Sequence, residues 1–222
     1  MTSCHSIILK CQKKDSENMP SQTFLNLTEE KKQNLLKAAT LEFSRVNYNT
    51  ASINQIILNA GISRGSFYMY FKDKEDLYVY IFEYYKNLFQ KRIALLLEKN
   101  GDFIETFEQL FDEIIKYCKN NNQAYFKNLF LDMKFTMERK LLQKPKIEEL
   151  NKQKKLLLKI INKSLYKYKT EEDLYDAFSL VLMITLTALV HYFIDDTKYQ
   201  KIKDAYMNRL HIIKYGLYER ND

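Results

Sequence analysis

Apolar residues recur every three or four positions along most of the chain, and short polar stretches separate the stripes. Thr28 precedes Glu29 and Glu30, acids that complement the positive end of a helix, and Leu35, Ala39, Phe43 and Val46 then follow at helical spacing. After a polar break at Asn47 to Ala51, Ser52 and Gln55 form a capping-box pair that opens a short helix with Ile53, Ile56, Ile57 and Ala60 on one side. Gly61 stops it. A third helix runs to about Phe71, and Asp73 caps a long fourth one through Leu77, Ile81, Tyr84, Leu88 and Leu95 that ends at Asn100 and Gly101. Asp102 caps a fifth, with Phe103, Phe107, Leu110, Phe111, Ile114 and Cys118 on its apolar side. The run Asn120, Asn121, Asn122 is a turn before an aromatic helix through Phe126, Phe130 and Met133. Pro145 restarts the chain, and Ile147, Leu150, Leu157, Ile161 and Leu165 mark the next stripe. Thr170 to Asp173 begin another helix, and Ile202, Tyr206, Leu210, Ile213 and Leu217 form the stripe of the last. Residues 1–27 show no sustained period and read as a flexible N-terminal arm.

Composition agrees with this pattern. Four glycines and two prolines in 222 residues are too few punctuators for a many-stranded sheet protein, so the expected fold class is all-α, with about nine helices. Cys4, Cys11 and Cys118 are odd in number and have no metal-ligand spacing with His5, His191 or His211, which argues against a disulfide framework or a metal site and fits a reducing cytoplasm. The first residues lack the pattern of a secretory signal, because Ile7, Ile8 and Leu9 are the whole apolar content before Lys10.

The net charge of +7 invites a nucleic-acid reading, but its location weakens that inference. Residues 28–76 hold seven basic and six acidic residues, whereas residues 144–169 hold nine and two, so the excess lies in a solvated helix face away from the candidate reading head. The arm offers Lys10, Lys13 and Lys14, which could lie along a DNA groove. The stretch Ala177 to Ile194 has 18 residues without a formal charge, at the lower limit for a membrane span. Ser179, Thr185, Thr187 and His191 interrupt it and no Lys/Arg cluster brackets it, so the expectation is no membrane but a helix buried against its own domain and against a partner subunit.

The segment 52–71 places two short helices on either side of Gly61. A helix-turn-helix must reverse within three or four residues, and its turn residue takes a left-handed conformation that glycine adopts without strain. Ser63 can cap the second helix, whose first N–H groups would face a phosphate. At 100° per residue Phe67 and Phe71 fall together, while Gly65, Ser66, Tyr68 and Met69 occupy the opposite arc. Gly65 costs about 1 kcal/mol of helix propensity relative to alanine, which suggests a need for close approach.

The run Ser63-Arg64-Gly65-Ser66-Phe67-Tyr68-Met69-Tyr70-Phe71, followed by Lys74, resembles the signature of the TetR family of dimeric, ligand-responsive regulators, and the resemblance extends over residues 28 to 78. It implies an N-terminal three-helix DNA-binding domain at residues 28–75 and a C-terminal helical ligand-binding and dimerisation domain at residues 76–222. By that resemblance Ser52, Ser66, Tyr68, Tyr70 and Lys74 would contact phosphates, and Arg64, Gly65 and Met69 would face base edges. The partners it implies are a palindromic double-stranded operator, a second copy of the chain and an unidentified small apolar effector, with no cofactor. The aromatic wealth of Tyr84, Tyr85, Phe89, Phe107, Phe111, Tyr125, Phe126, Phe130 and Met133 suits an effector pocket. Leu180, Met183, Ile184, Leu186, Thr187, Val190 and His191, with Ile202, Tyr206, Leu210, Ile213 and Leu217, would form the dimer interface. The competing reading is a helical interaction or membrane-associated protein without DNA binding. No nucleophile, base and acid set occurs in the sequence, which argues against an enzyme.

Overall fold

The computed structural model describes residues 20–120, 123–128 and 147–218, and within these every regular element is helical. The helices are α1 (Gln22–Leu25), α2 (Glu29–Arg45), α3 (Ile53–Ala60), α4 (Arg64–Tyr70), α5 (Lys74–Asn100), α6 (Phe103–Asn120), α7 (Ile147–Ile160), α8 (Glu171–Ile194) and α9 (Tyr199–Tyr218). Residues 123–128 add a further helical stretch, and short 3-10 turns at Lys163–Leu165 and Asp196–Lys198 precede α8 and α9.

The expected start and stop signals act where they stand in the chain. Thr28, Ser63 and Asp73 accept from the backbone N–H three residues ahead and cap α2, α4 and α5. Thr170 and Asp173 form a reciprocal capping box at α8. Gly61 (φ 65°) and Gly101 (φ 71°) end α3 and α5 in the left-handed conformation. After Gly61 the N–H of Ile62 returns to the carbonyl of Ile57, closing a Schellman turn. Ser52 departs from expectation: its side chain makes no capping bond, and no capping box forms with Gln55.

α1 to α4 and the first turns of α5 share one core, in which Phe24, Leu35, Ala39, Phe43, Ile56, Phe67, Phe71, Leu77 and Ile81 are buried. Residues 20–27, expected to belong to a flexible arm, are instead part of the folded domain. Residues 20–27 fold onto α4, because Phe24 enters an aromatic cage of Tyr70, Phe71 and Tyr80. Phe24, Leu25 and Leu27 are too few and too closely spaced to show a helical period. Residues 1–19, with Lys10, Lys13 and Lys14, lie outside the described residues.

The body packs α8 against α6, α7 and α9, and α5 against α6 and α7. Tyr206 ties three helices together: its hydroxyl donates to the Phe107 carbonyl (2.8 Å), pairs with Thr185 Oγ1 (3.0 Å), and its ring stacks on Phe111 at 4.5 Å. Tyr206 and Leu210 are accordingly core residues of their own subunit and not interface residues. Helical periodicity identifies an apolar stripe on α9 but not which neighbour it meets. α8 is long and apolar enough to cross a membrane by length and composition, yet 44 % of its apolar stretch is buried against the other helices. Its outward stripe is Leu180, Met183, Thr187, His191 and Ile194.

The expected effector pocket is also revised. Phe107, Phe111, Tyr125 and Phe126 are fully buried core residues, with Tyr125 and Phe126 packed on Tyr85 at ring separations of 5.4 and 4.9 Å. Tyr84, Tyr85 and Phe89 are half-buried, while Phe130 and Met133 lie outside the described residues. Large aromatic side chains fill space efficiently, so their abundance alone does not separate a cavity from a packed core.

Candidate nucleic-acid interface

The reading helix α4 has only seven residues, too few to be stable alone, and is held by its buried face. Phe67 and Phe71 are completely or almost completely buried, and Ile62 packs beside them. The opposite face is open: Arg64, Gly65, Tyr68 and Met69 are exposed, with Ser66 partly so. A methyl group added at Gly65 would meet nothing nearer than the Ser63 hydroxyl at 3.8 Å, so no contact within the chain requires glycine there. Gly65→Ala is expected to fold with unchanged stability or a gain of up to about 1 kcal/mol while losing DNA affinity, read by thermal melting beside a binding titration. Wild-type affinity in that variant would remove Gly65 from the contact surface.

Arg64 is oriented before any partner arrives. Its Nη1 donates to Asn54 Oδ1 (2.7 Å), and the guanidinium lies 5.5 Å from the centre of the Tyr68 ring. Asn54, whose role no local motif announces, thus joins α3 to the reading helix. Ser63 caps the Ser66 N–H at 3.0 Å, and the two hydroxyls share a bond of 2.9 Å. Tyr70 stands apart from the open face, half-buried against Phe24.

Beside α4, a cleft of about 240 Å³ is lined by Ala51, Ser52, Ile53, Asn54, Arg64, Tyr68 and Lys74. The start of α3 opens into it with the Ser52 hydroxyl free of any capping bond. A helix N-terminus, a hydroxyl and two cations make a favourable seat for a phosphate. Lys74 also braces the fold, since its ammonium donates to the carbonyls of Asn49 (3.1 Å) and Ala51 (3.0 Å) and lies 4.8 Å over the Tyr48 ring. This holds the loop that leads into α3.

Glu42 completes the support. The carboxylate is 1 % exposed, accepts from Arg45 Nε and Nη2 (3.0 and 2.9 Å) and takes the Ser52 N–H at 2.8 Å. The Arg45 bonds, with help from Ser52 and Lys74, hold its carboxyl below the usual range despite burial. A lowered folded-state pKa means that the stabilisation is fully present above the unfolded value of about 4.3 and disappears as pH falls through the folded value. Glu42→Gln is expected to cost about 1–3 kcal/mol at neutral pH, with the gap to wild type narrowing below about pH 4 in paired melts. A gap that stays constant down to pH 2 would contradict the charged role. Sequence reading missed Glu42, since an acid inside an amphipathic helix resembles any surface residue until its partner ten residues away is known. It also missed Asn128, whose amide donates to the carbonyls of Phe43 (2.8 Å) and Ser44 (3.4 Å) and so connects the body to the end of α2.

A short glycine-hinged helix pair with a buried inner face, an open basic and aromatic outer face and a neighbouring phosphate seat defines a helix-turn-helix DNA-binding protein. Family models agree at both ends of the chain: residues 35–81 match that of the bacterial regulatory proteins of the tetR family, and residues 102–217 match the tetracyclin repressor-like C-terminal domain. The chain belongs to the TetR family, whose members are helix-turn-helix transcriptional regulators and not enzymes. Among its relatives, the HTH-type transcriptional regulator YuxN of Bacillus subtilis is 26 % identical over 215 residues, covering 87 % of this chain and 66 % of that protein. YdgC of the same organism is 35 % identical over 72 residues, covering 32 % of this chain and 37 % of its own length. The chain thus spans well under half of YdgC and about two thirds of YuxN. A solved structure of a tetR family transcription regulator from Shewanella sp. PV-4 shares the fold with a TM-score of 0.57, at 20 % identity and over 86 % of this chain and 99 % of that one.

Proposed function

We propose that the chain acts as a cytoplasmic homodimeric repressor that grips a palindromic operator through α4 and releases it when a small apolar effector binds the body. The reading domain comprises residues 20–75, and the effector and dimerisation body residues 76–222. The supporting observation is the division of α4 into a buried phenylalanine face and an open face bearing Arg64, Gly65, Tyr68 and Met69. Arg64 is the base reader, because a guanidinium binds guanine O6 and N7 with two hydrogen bonds in the major groove. Ser52, Ser63, Ser66, Tyr68, Tyr70 and Lys74 serve the phosphates on either side. One such helix covers too few bases to select a site, so two must lie about 34 to 36 Å apart in successive major grooves.

Selection of bound duplexes from a random pool tests this reading. Arg64→Ala is expected to lose base preference at the positions it contacts, about 1–3 kcal/mol of discrimination. Lys74→Ala is expected to weaken binding to every sequence and to lower the salt slope by about one charge, with some loss of stability from the freed Asn49 and Ala51 carbonyls. Unchanged selectivity in Arg64→Ala refutes the base-reading role.

The dimer forms through the outward stripe of α8 and the matching face of α9, where Ala205, Ile212 and Tyr215 are exposed. A groove of about 360 Å³ between these helices, with Ala188, His191, Ile194 and Ile202 in its lining, offers room for side chains of a second copy. Ile184, Leu186, Val190 and Ile213 are partly buried beneath this surface and support it. The effector meets the half-buried Tyr84, Tyr85 and Phe89 beside Tyr117, and a shift of residues 123–128 would reach α2 through Asn128. To act, it must bind the released arrangement more tightly than the DNA-bound one.

A further inference from the structure

We infer that Ser21 and Phe24 are positioning residues for DNA reading: together they clasp the far end of the reading helix and tie it to α5. The inference rests on the proposed role of α4. A seven-residue helix makes few backbone bonds of its own and leaves its last carbonyls without intrahelical partners. Here two of those carbonyls are taken from outside. The Ser21 N–H donates to the Tyr70 carbonyl at 2.9 Å, and the Ser21 hydroxyl donates to the Met69 carbonyl. That hydroxyl oxygen also accepts the Phe24 N–H at 3.3 Å, so the same group caps α1 and holds α4. One turn on, the fully buried Phe24 ring lies 4.9 Å from Phe71, 5.9 Å from Tyr70 and 5.2 Å from Tyr80. Tyr80 belongs to α5, the helix that runs into the body.

The consequence is geometric. Gly61 sets the start of the reading helix, and the clasp sets its end, at the residue whose side chain, Met69, is 58 % exposed on the DNA-facing arc. With one end freed, α4 could change its tilt while Phe67 stays buried. Base contacts depend on that tilt, because bidentate hydrogen bonds tolerate little misalignment. Phosphate contacts from Lys74 and the start of α3 lie on other elements and should survive, and those on α4, being less directional, should lose less than the base contacts.

Full-length Ser21→Ala, Phe24→Ala and Phe24→Leu, with Arg64→Ala as reference, would be titrated against a duplex recovered by selection and against a random duplex. Circular dichroism fixes a temperature at which each variant is folded. Ser21→Ala and Phe24→Ala are expected to lose about tenfold more affinity for the selected duplex than for the random one, the worth of one misplaced base contact. Phe24→Leu should recover most of that loss. A merely structural role would lower the melting temperature and leave the ratio of the two affinities intact, which overturns the proposal. If Phe24→Ala does not fold, Ser21→Ala decides by the same ratio. Collapse of the ratio in Arg64→Ala alone removes the clasp and keeps the reading; an intact ratio in Arg64→Ala removes the reading itself.

Discussion

Leu180→Glu combined with Met183→Glu is expected to convert the protein to a monomer and to reduce operator affinity by about 100-fold or more. Both side chains are large, apolar and about half exposed, at 48 % and 58 %, on the outward stripe of α8. In a two-fold interface each substitution appears twice, so four carboxylates would face one another across a surface that excludes water. Because neither residue packs in the subunit core, the monomer should keep its helical content. The affinity loss follows from multivalency: two linked reading heads gain about 10² to 10⁴ over one without any new contact. Sedimentation and a binding titration on one operator would measure both effects. A variant that remains dimeric would show that the subunits meet elsewhere.

Phe67→Ala is expected to be the most damaging single substitution in the reading domain. Its ring has no exposed surface and packs 6.1 Å from Phe71 in the cluster beneath α4. Truncating a buried phenylalanine leaves both lost transfer energy and a cavity, about 3–5 kcal/mol. The effect should be local: hydrogen exchange should accelerate in α3 and α4 before it does in α6 and α8, whose core is built from other residues. DNA binding should vanish while the body stays folded. Retained operator binding would mean that α4 is held by something other than this ring.

The reading head was legible because its signals are local. A cap such as Ser63 acts on an N–H three residues away, and Gly61 acts on its own backbone; Phe67 and Phe71 share a face through helical geometry alone. Glu42 and Asn54 were not legible, since each acts on a partner ten residues away in sequence, Ser52 and Arg64 respectively, and nothing in either neighbourhood names that partner. Asn128 is the extreme case, with its partner 85 residues back.

The amino-acid sequence by itself determined the longer helices, most of their ends, the glycine bend and the face that α4 turns to the core, because these follow from backbone geometry and contacts within one or two turns. Tertiary structure decided which side of each apolar stripe is spent inside the subunit. Tyr206 and Leu210 went inward while Met183 and Ile212 stayed outside, and Phe24 left an apparently featureless arm to fill a cage of three rings. Burial of apolar surface has no direction of its own, so the stripes record that something must be covered, and only the assembled helices fix what covers it.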